Sequence, residues 1–204
     1  MKGLLLKDLY MIWKNFRIYF VICLAFLFIG VWSSNSFFFV YPAVMGSMVP
    51  INILSFDEKS GWDRYSLAFP VSRARLVASK YLISLICSGS MLLLCSLFMV
   101  GKIFFISHDT EMLDAFLPTL LVMMFLPPAV VLPCIFKFGS QKGSLAYILV
   151  FGVVFGVGYA VTQVAGLADL GSFPSVIAFL PLATAALYAL SWPLSIRIYK
   201  RKEF

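Results

Sequence analysis

The chain has 204 residues, of which 62% are hydrophobic and only 12% are charged, and its formal net charge is +7. Roughly a quarter of the residues in a soluble domain are charged, so this composition excludes a soluble globular protein. It indicates an all-α polytopic membrane protein, with one transmembrane domain over residues 1–204.

Residues 1–16 predict an amphipathic helix that lies in the inner membrane interface. At helical spacing the apolar side chains share one face and the polar ones share the other; these are Leu5, Leu9, Ile12, Trp13 and Phe16 against Lys7, Asp8, Lys14 and Asn15. No small-residue cleavage pattern follows, so a cleavable signal peptide is not expected. Such a helix would either anchor the chain or act as a lever beside a cytoplasmic partner.

Stretches without charged residues predict six membrane spans, because one span needs about 20 apolar residues. The run from Ile18 to Phe56 has no charge and is nearly twice too long for one helix. Small polar residues at 33–36 favour a turn that divides it. The six predicted spans cover about 17–33, 37–56, 81–101, 115–136, 144–166 and 173–196.

The basic residues predict that both termini lie in the cytoplasm, because Lys and Arg stay on the cytoplasmic side of short loops. With this orientation every one of the 16 Lys and Arg residues except Lys102 falls inside. The predicted outer loops are acidic and contain Asp109, Glu111, Asp114 and Asp169. The positive charge therefore indicates orientation and attraction to anionic lipid, with no nucleic-acid partner.

The spans lack the residues that chemistry inside a membrane requires. No His, Asp, Glu, Lys or Arg falls at the centre of a predicted span, which disfavours an intramembrane enzyme and, less strongly, an ion-driven transporter. No Walker-type phosphate-binding sequence occurs, so ATP and Mg²⁺ would have to bind a separate ATPase subunit. The cysteines have no C-x-x-C spacing and the only histidine is His108 in an outer loop, so neither a metal site nor a disulfide framework is predicted.

A dense polar block follows the second span, with the sequence DEKSGWDRYSLAFPVSR from Asp57 to Arg73. Its mixture of charges and aromatic rings is typical of a protein contact, although aromatic residues also rest beside basic ones at the level of the lipid headgroups. Gly61 permits a sharp turn before a short helix, Pro70 ends that helix, and Ser72 caps the next one.

Two segments resemble the small six-span permease subunits of ABC-type-2 exporters. They are MKGLLLKDLYMIWKN at the start of the chain and DEKSGWDRYSLAFPVSRARLVASKYL after the second span, where Phe69 replaces the Leu that commonly precedes the proline. The resemblance implies that residues 57–80 contain a coupling helix that docks on the ATPase. The implied coupling residues are Asp57, Glu58, Lys59, Trp62, Asp63, Arg64 and Tyr65.

The same resemblance implies an assembly of two permease subunits, identical or homologous, with two ABC ATPase subunits. The later spans agree with a moving bundle, because Pro127, Pro128 and Pro133 would kink the fourth span. Gly152 and Gly156 have G-x-x-x-G spacing, which permits close helix packing either within the subunit or at a dimer seam.

The cargo is predicted to be amphipathic or hydrophobic, because the interior is rich in apolar and methionine side chains rather than in fixed polar groups. The resemblance implies a peptide, either a cytolytic one such as a phenol-soluble modulin or a lantibiotic-like antimicrobial peptide. The alternative function is that of a membrane-embedded regulatory or scaffold protein, which binds a cytoplasmic partner through residues 57–73.

Overall fold

The computed structural model describes residues 2–33, 37–62, 65, 72–107, 111–167 and 174–201. These residues are helical almost throughout and include no strand, which confirms the all-α class. The long helices are α1 (Lys2–Trp32), α2 (Phe37–Lys59), α3 (Arg73–Lys102), α4 (Glu111–Phe138), α5 (Ser140–Leu167) and α6 (Pro174–Arg201). A π-helical turn over Ile103–Ser107 extends α3.

The described parts of five helices, α1 to α4 and α6, are each apolar over a stretch long enough to cross a bilayer. Helix α5 is apolar over Ser140–Val154, beyond which few of its side chains are described. The chain is therefore a multi-pass membrane protein, as its composition predicts.

The division between α1 and α2 lies where the small polar residues predict it, since α1 ends at Trp32 and α2 begins at Phe37. Helix α1 itself differs from the expected pair of elements, because its 31 residues form one unbroken helix about 46 Å long. The structure thus contains no helix break between residues 1–16 and the first span, and the interfacial position of that segment stays a prediction.

Contacts at the two ends of the bundle, including those of Asp57 with Lys80 and of Glu58 with Ser140, show that the helices alternate in direction. The guanidinium of Arg73, at the start of α3, donates to the carbonyl of Lys200, near the end of α6, at 3.0 Å. At the opposite end, Lys102 Nζ donates to the carbonyl of Ser33 at 2.6 Å. The end that holds the starts of α1, α3 and α5 and the ends of α2, α4 and α6 is called here the terminal end; its cytoplasmic location stays a prediction.

Helix α4 occupies the centre of the bundle, where it packs against α2, α3, α5 and α6. Helix α1 lies at the side and packs against α2 and α3. One apolar core lies towards the terminal end around Tyr81, Leu132 and Tyr188, and a second lies towards the other end around Leu27, Phe39 and Met124. The polar groups described next are held between these packed helices.

Candidate functional site

Four charged residues from three helices meet at the terminal end and are called here the ionic cluster. Lys80 Nζ of α3 donates to both carboxylate oxygens of Asp8 in α1, each at 2.9 Å, and also to Asp57 Oδ2 at the end of α2. Lys7 Nζ completes the cluster with a 2.7 Å bond to Asp57 Oδ1 and lies 3.4 Å from Asp8 Oδ1. The cluster therefore links α1, α2 and α3.

The charges of the ionic cluster balance, with two lysines against two aspartates. Asp8 is only 1% exposed and Asp57 only 2%, so water contributes little to their solvation. A buried charge is tolerated when it is paired and hydrogen-bonded, and both carboxylates meet that condition. Each lysine is therefore needed to compensate the negative charge of the buried aspartates beside it.

Glu58 binds a different part of the bundle from its neighbour Asp57. Its Oε2 accepts a hydrogen bond of 2.5 Å from the backbone N–H of Ser140, the first residue of α5. A carboxylate at a helix N-terminus satisfies a free donor and interacts favourably with the helix dipole. Gly139 precedes this contact with φ +87°, and a Cβ there would lie 2.9 Å from Glu58 Oε1. The positive φ favours glycine here, and a larger residue would also displace the Glu58 carboxylate.

The polar block leaves α2 through a left-handed glycine, as its sequence predicts. Gly61 has φ +69°, directly after α2 ends at Lys59. Lys7 Nζ lies 4.1 Å from the centroid of the Trp62 ring, a cation–π distance, so Lys7 contacts both the ionic cluster and the start of the block. Lys59 and Tyr65 are exposed.

Of the seven predicted coupling residues, five fall within the described part of the chain. The structure buries Asp57 and uses Glu58 for an internal contact, and it leaves Lys59, Trp62 and Tyr65 at least partly exposed. Asp63 and Arg64 lie outside the described residues, as do Pro70 and His108. Ser72 is the N-cap residue of α3, as predicted, although its side chain makes no capping hydrogen bond.

Sequence reasoning did not find the partners of Asp57. The sequence pattern places Lys7 and Asp8 on the polar face of an amphipathic helix, and Lys80 among the cytoplasmic positive charges, on the helix that Ser72 begins. In the structure Asp8 is buried against α3, whereas Trp13, from the expected apolar face, is 73% exposed. The available signal was that both segments of the family resemblance contain charges beside apolar runs, Lys7-Asp8 in one and Asp57 with Lys80 in the other.

Hydroxyl groups of neighbouring helices bind backbone carbonyls that two prolines of α4 leave free. Pro133 has no N–H to donate to the carbonyl of Ala129, and the Ser191 hydroxyl of α6 donates to that carbonyl at 2.6 Å. Pro128 likewise leaves the carbonyl of Met124 free, and the Ser88 hydroxyl of α3 reaches it at 3.4 Å. These two contacts agree with the requirement that freed carbonyls in a membrane find a partner within the protein.

A buried network of hydroxyl groups joins α3 to α6 next to the ionic cluster. Tyr81, which follows Lys80 in the chain, has its hydroxyl 2.6 Å from Ser191 Oγ and 2.7 Å from Ser195 Oγ. In return the Tyr188 hydroxyl donates to the carbonyl of Tyr81 at 2.8 Å. Since Ser191 also binds the carbonyl of Ala129, polar contacts run from Tyr81, the residue next to Lys80, to the central helix.

Gly152 and Gly156 lie on an exposed face of α5. A Cβ added at either glycine would have no atom of another part of the described chain within 4 Å. In the described structure they therefore do not bring two helices of this chain together. A dimer seam at this face stays a prediction.

Comparison with known families finds a match over nearly the whole chain. The model of the family described as "ABC-2 family transporter protein" matches residues 3–200. Searches of curated proteins and of solved structures give no match. The matched range includes every residue of the ionic cluster and the polar block that follows α2.

Proposed function

The chain belongs to the ABC-2 transporter family as an ABC-2-type permease, and from this membership we propose that it exports an amphipathic peptide with ATP hydrolysed on a separate ATPase subunit. The assembly would contain two ATPases and a second permease subunit, identical or homologous. Its location would be the bacterial cytoplasmic membrane, with both termini of the chain inside.

The observation that carries the proposal is the position of the ionic cluster at the base of the polar block. The block leaves α2 shortly after Asp57 and returns to α3 a few residues before Lys80, and these two residues bind each other. Lys7 adds α1 through its contacts with Asp57 and the Trp62 ring. A partner that moved the block would therefore displace three helices together.

The contacts of α3 supply a route from this cluster to the middle of the bundle. Lys80 and Tyr81 are adjacent on α3, and the Tyr81 hydroxyl bonds to Ser191, which in turn bonds to the carbonyl of Ala129 at the α4 kink. A displacement of α3 would strain these hydrogen bonds and change how far α4 bends at its prolines. Pro127, Pro128 and Pro133 would then serve as the gate.

The proposed coupling residues divide into two groups by their contacts. Trp62 and Tyr65 are at least partly exposed and suit a contact in a groove of the ATPase, where aromatic side chains contribute strongly to binding. Asp63 and Arg64 would join them, as the family resemblance implies. Asp57 and Glu58 would transmit the motion, because their carboxylates bind other helices of the same chain.

The proposed cargo is a cytolytic or antimicrobial peptide. Of 204 residues, 21 are phenylalanine and 9 are methionine, which favours apolar and adaptable contacts with the cargo. The acidic outer loops would offer a favourable exit to a cationic peptide.

The test reconstitutes the chain with its partner ATPase in proteoliposomes and measures ATP-dependent flux of a synthetic cationic amphipathic peptide. Trp62→Ala should abolish most of the flux while leaving the helical content of the chain unchanged. Trp13→Ala is the matched control, since Trp13 is an exposed tryptophan outside the polar block. Equal flux in the two variants would remove the coupling role, and a partner that binds without any flux would favour the scaffold function.

A further inference from the structure

A cavity of about 390 Å³ lies between α1, α2 and α3, next to the ionic cluster. Its walls are mainly apolar, with contributions from all three helices; they include Phe16, Phe20, Met45, Asn52, Cys87 and Met91. Tyr19 and Phe20 of α1 line the cavity and are both exposed, so the cavity opens towards the side of the bundle. It is therefore a groove that a ligand can enter from the membrane.

The volume of the groove suits a short apolar segment. Binding pockets for small molecules span roughly 300–1,000 Å³. A dry apolar cavity of about 150 Å³ already holds a benzene molecule. The groove thus has room for about two large apolar side chains of a peptide, and its methionines and aromatic rings can adapt to different side chains.

One polar side chain in the wall distinguishes a peptide from a lipid acyl chain. Asn52 lines the groove and is partly exposed, and its amide makes no hydrogen bond to another described residue. An amide offers both donors and an acceptor, and leaving them unpaired in an apolar environment is costly. A peptide backbone can pair with both kinds of group, whereas a hydrocarbon chain can pair with neither. Ser90 does not compete, since its hydroxyl donates to the carbonyl of Cys87 at 2.9 Å.

The groove is also built from the three helices that the ionic cluster links. Asn52 precedes Asp57 by five residues on α2, which is about 7 Å along the helix. Phe16 follows Asp8 on α1, and Cys87 follows Lys80 on α3, each by about two turns. A displacement at the cluster would therefore change the width of the groove.

We propose that this groove is the entry site for the cargo, where it binds a short apolar segment of the peptide with a backbone amide hydrogen-bonded to Asn52. The inference rests on the peptide export proposed above. Phe16, Phe20 and Met91 contact the apolar side chains of the cargo, and the ionic cluster ties the width of the groove to the state of the ATPase.

Two native cysteines permit a direct test of occupancy. Cys87 lines the groove, whereas Cys134 lies on α4 outside the groove lining, and both are partly exposed. Variants that retain only one of them are assembled with the ATPase in nanodiscs and treated with a membrane-permeant maleimide. A synthetic 20-residue amphipathic peptide of leucine and lysine should slow alkylation of Cys87 several-fold and leave that of Cys134 unchanged.

Asn52→Leu should raise the peptide concentration needed for half-protection by about fivefold, the effect of one hydrogen bond. Met45→Trp fills the groove and should abolish protection of Cys87 by the peptide. It supplies a second test if the Asn52→Leu variant does not fold. If the alkylation rate of Cys87 did not change with the peptide but varied with lipid chain length, the occupant would be a lipid. This result would overturn the proposal.

Peptide flux separates the groove proposal from the peptide-export proposal. It is measured in liposomes of the same lipid composition as the nanodiscs. Flux that continues while Cys87 stays unprotected, and that Met45→Trp leaves unchanged, would refute the groove and leave peptide export standing. Absence of both flux and protection would refute peptide export, and the groove would fall with it.

Discussion

Asp57 and Glu58 are adjacent in the chain, yet their carboxylates bind different parts of the bundle. Asp57 accepts from Lys7 of α1 and Lys80 of α3, whereas Glu58 accepts from the first N–H of α5. Successive residues of an α-helix point about 100° apart, so two neighbouring acids at the end of α2 can reach two neighbouring regions. This pair connects the polar block to four of the six helices.

Replacing Lys80 with methionine should destabilise the protein strongly. The substitution leaves Asp8 and Asp57 buried with only Lys7 to compensate them, and breaking a buried ion pair in this way costs about 3–5 kcal/mol. The measurement is the apparent free energy of unfolding of the purified chain. Arg75→Met is the control, since Arg75 lies on the same helix and is exposed.

A double substitution tests whether charge balance is the cause. Lys80→Met combined with Asp8→Asn returns the ionic cluster to one lysine and one aspartate. This double variant should be more stable than Lys80→Met alone, because it removes the uncompensated charge. A double variant less stable than Lys80→Met would contradict the balance argument.

Gly139→Ala should destabilise the start of α5. Its φ of +87° is unfavourable for alanine, and the added Cβ would meet Glu58 Oε1 at 2.9 Å. The expected loss is more than about 1 kcal/mol.

Glu58→Gln, which keeps the shape but removes the charge, should cost about 0.5–1 kcal/mol through the helix dipole. Thermal unfolding of both variants measures these effects, and an unchanged midpoint for Gly139→Ala would exclude the close contact.

The sequence predicts the helices well because long uncharged runs and a small polar break are local signals. It also places the turn at Gly61, which depends on the backbone freedom of one residue, and the start of α3 at Ser72, although the Ser72 hydroxyl makes no capping hydrogen bond. Local sequence patterns do not predict the ionic cluster, because Lys80 and Asp8 pair although they are 72 positions apart in the chain. Periodicity gives the faces of a helix but does not say which face meets a neighbour, and for this reason the inward direction of Asp8 was missed.

Ser191→Ala should show whether Ser191 compensates the carbonyl that Pro133 leaves free. The carbonyl of Ala129 would lose its 2.6 Å partner in the membrane interior, at a cost of about 1–3 kcal/mol. In a Pro133→Ala background the restored N–H can donate to the same carbonyl, so the cost of Ser191→Ala should become much smaller. The four unfolding free energies form a double-mutant cycle, and strict additivity would show that Ser191 does not act through the carbonyl freed by Pro133.

Gly152→Leu should separate a dimer seam from a lipid-facing surface on α5. Gly152 and Gly156 are exposed, and the described chain has no atom within 4 Å of an added Cβ at either position. If a second permease packs closely there, as G-x-x-x-G spacing permits, leucine should dissociate it and lower flux at least several-fold. Size-exclusion chromatography with light scattering measures the mass. Leu149→Ala is the control, because it alters an exposed residue of the same helix without adding bulk. If Gly152→Leu left the mass of the permease and the flux unchanged, this face would contact lipid rather than a second subunit. In that case leucine should even stabilise α5 slightly, because its helix propensity is better than that of glycine by about 0.8 kcal/mol.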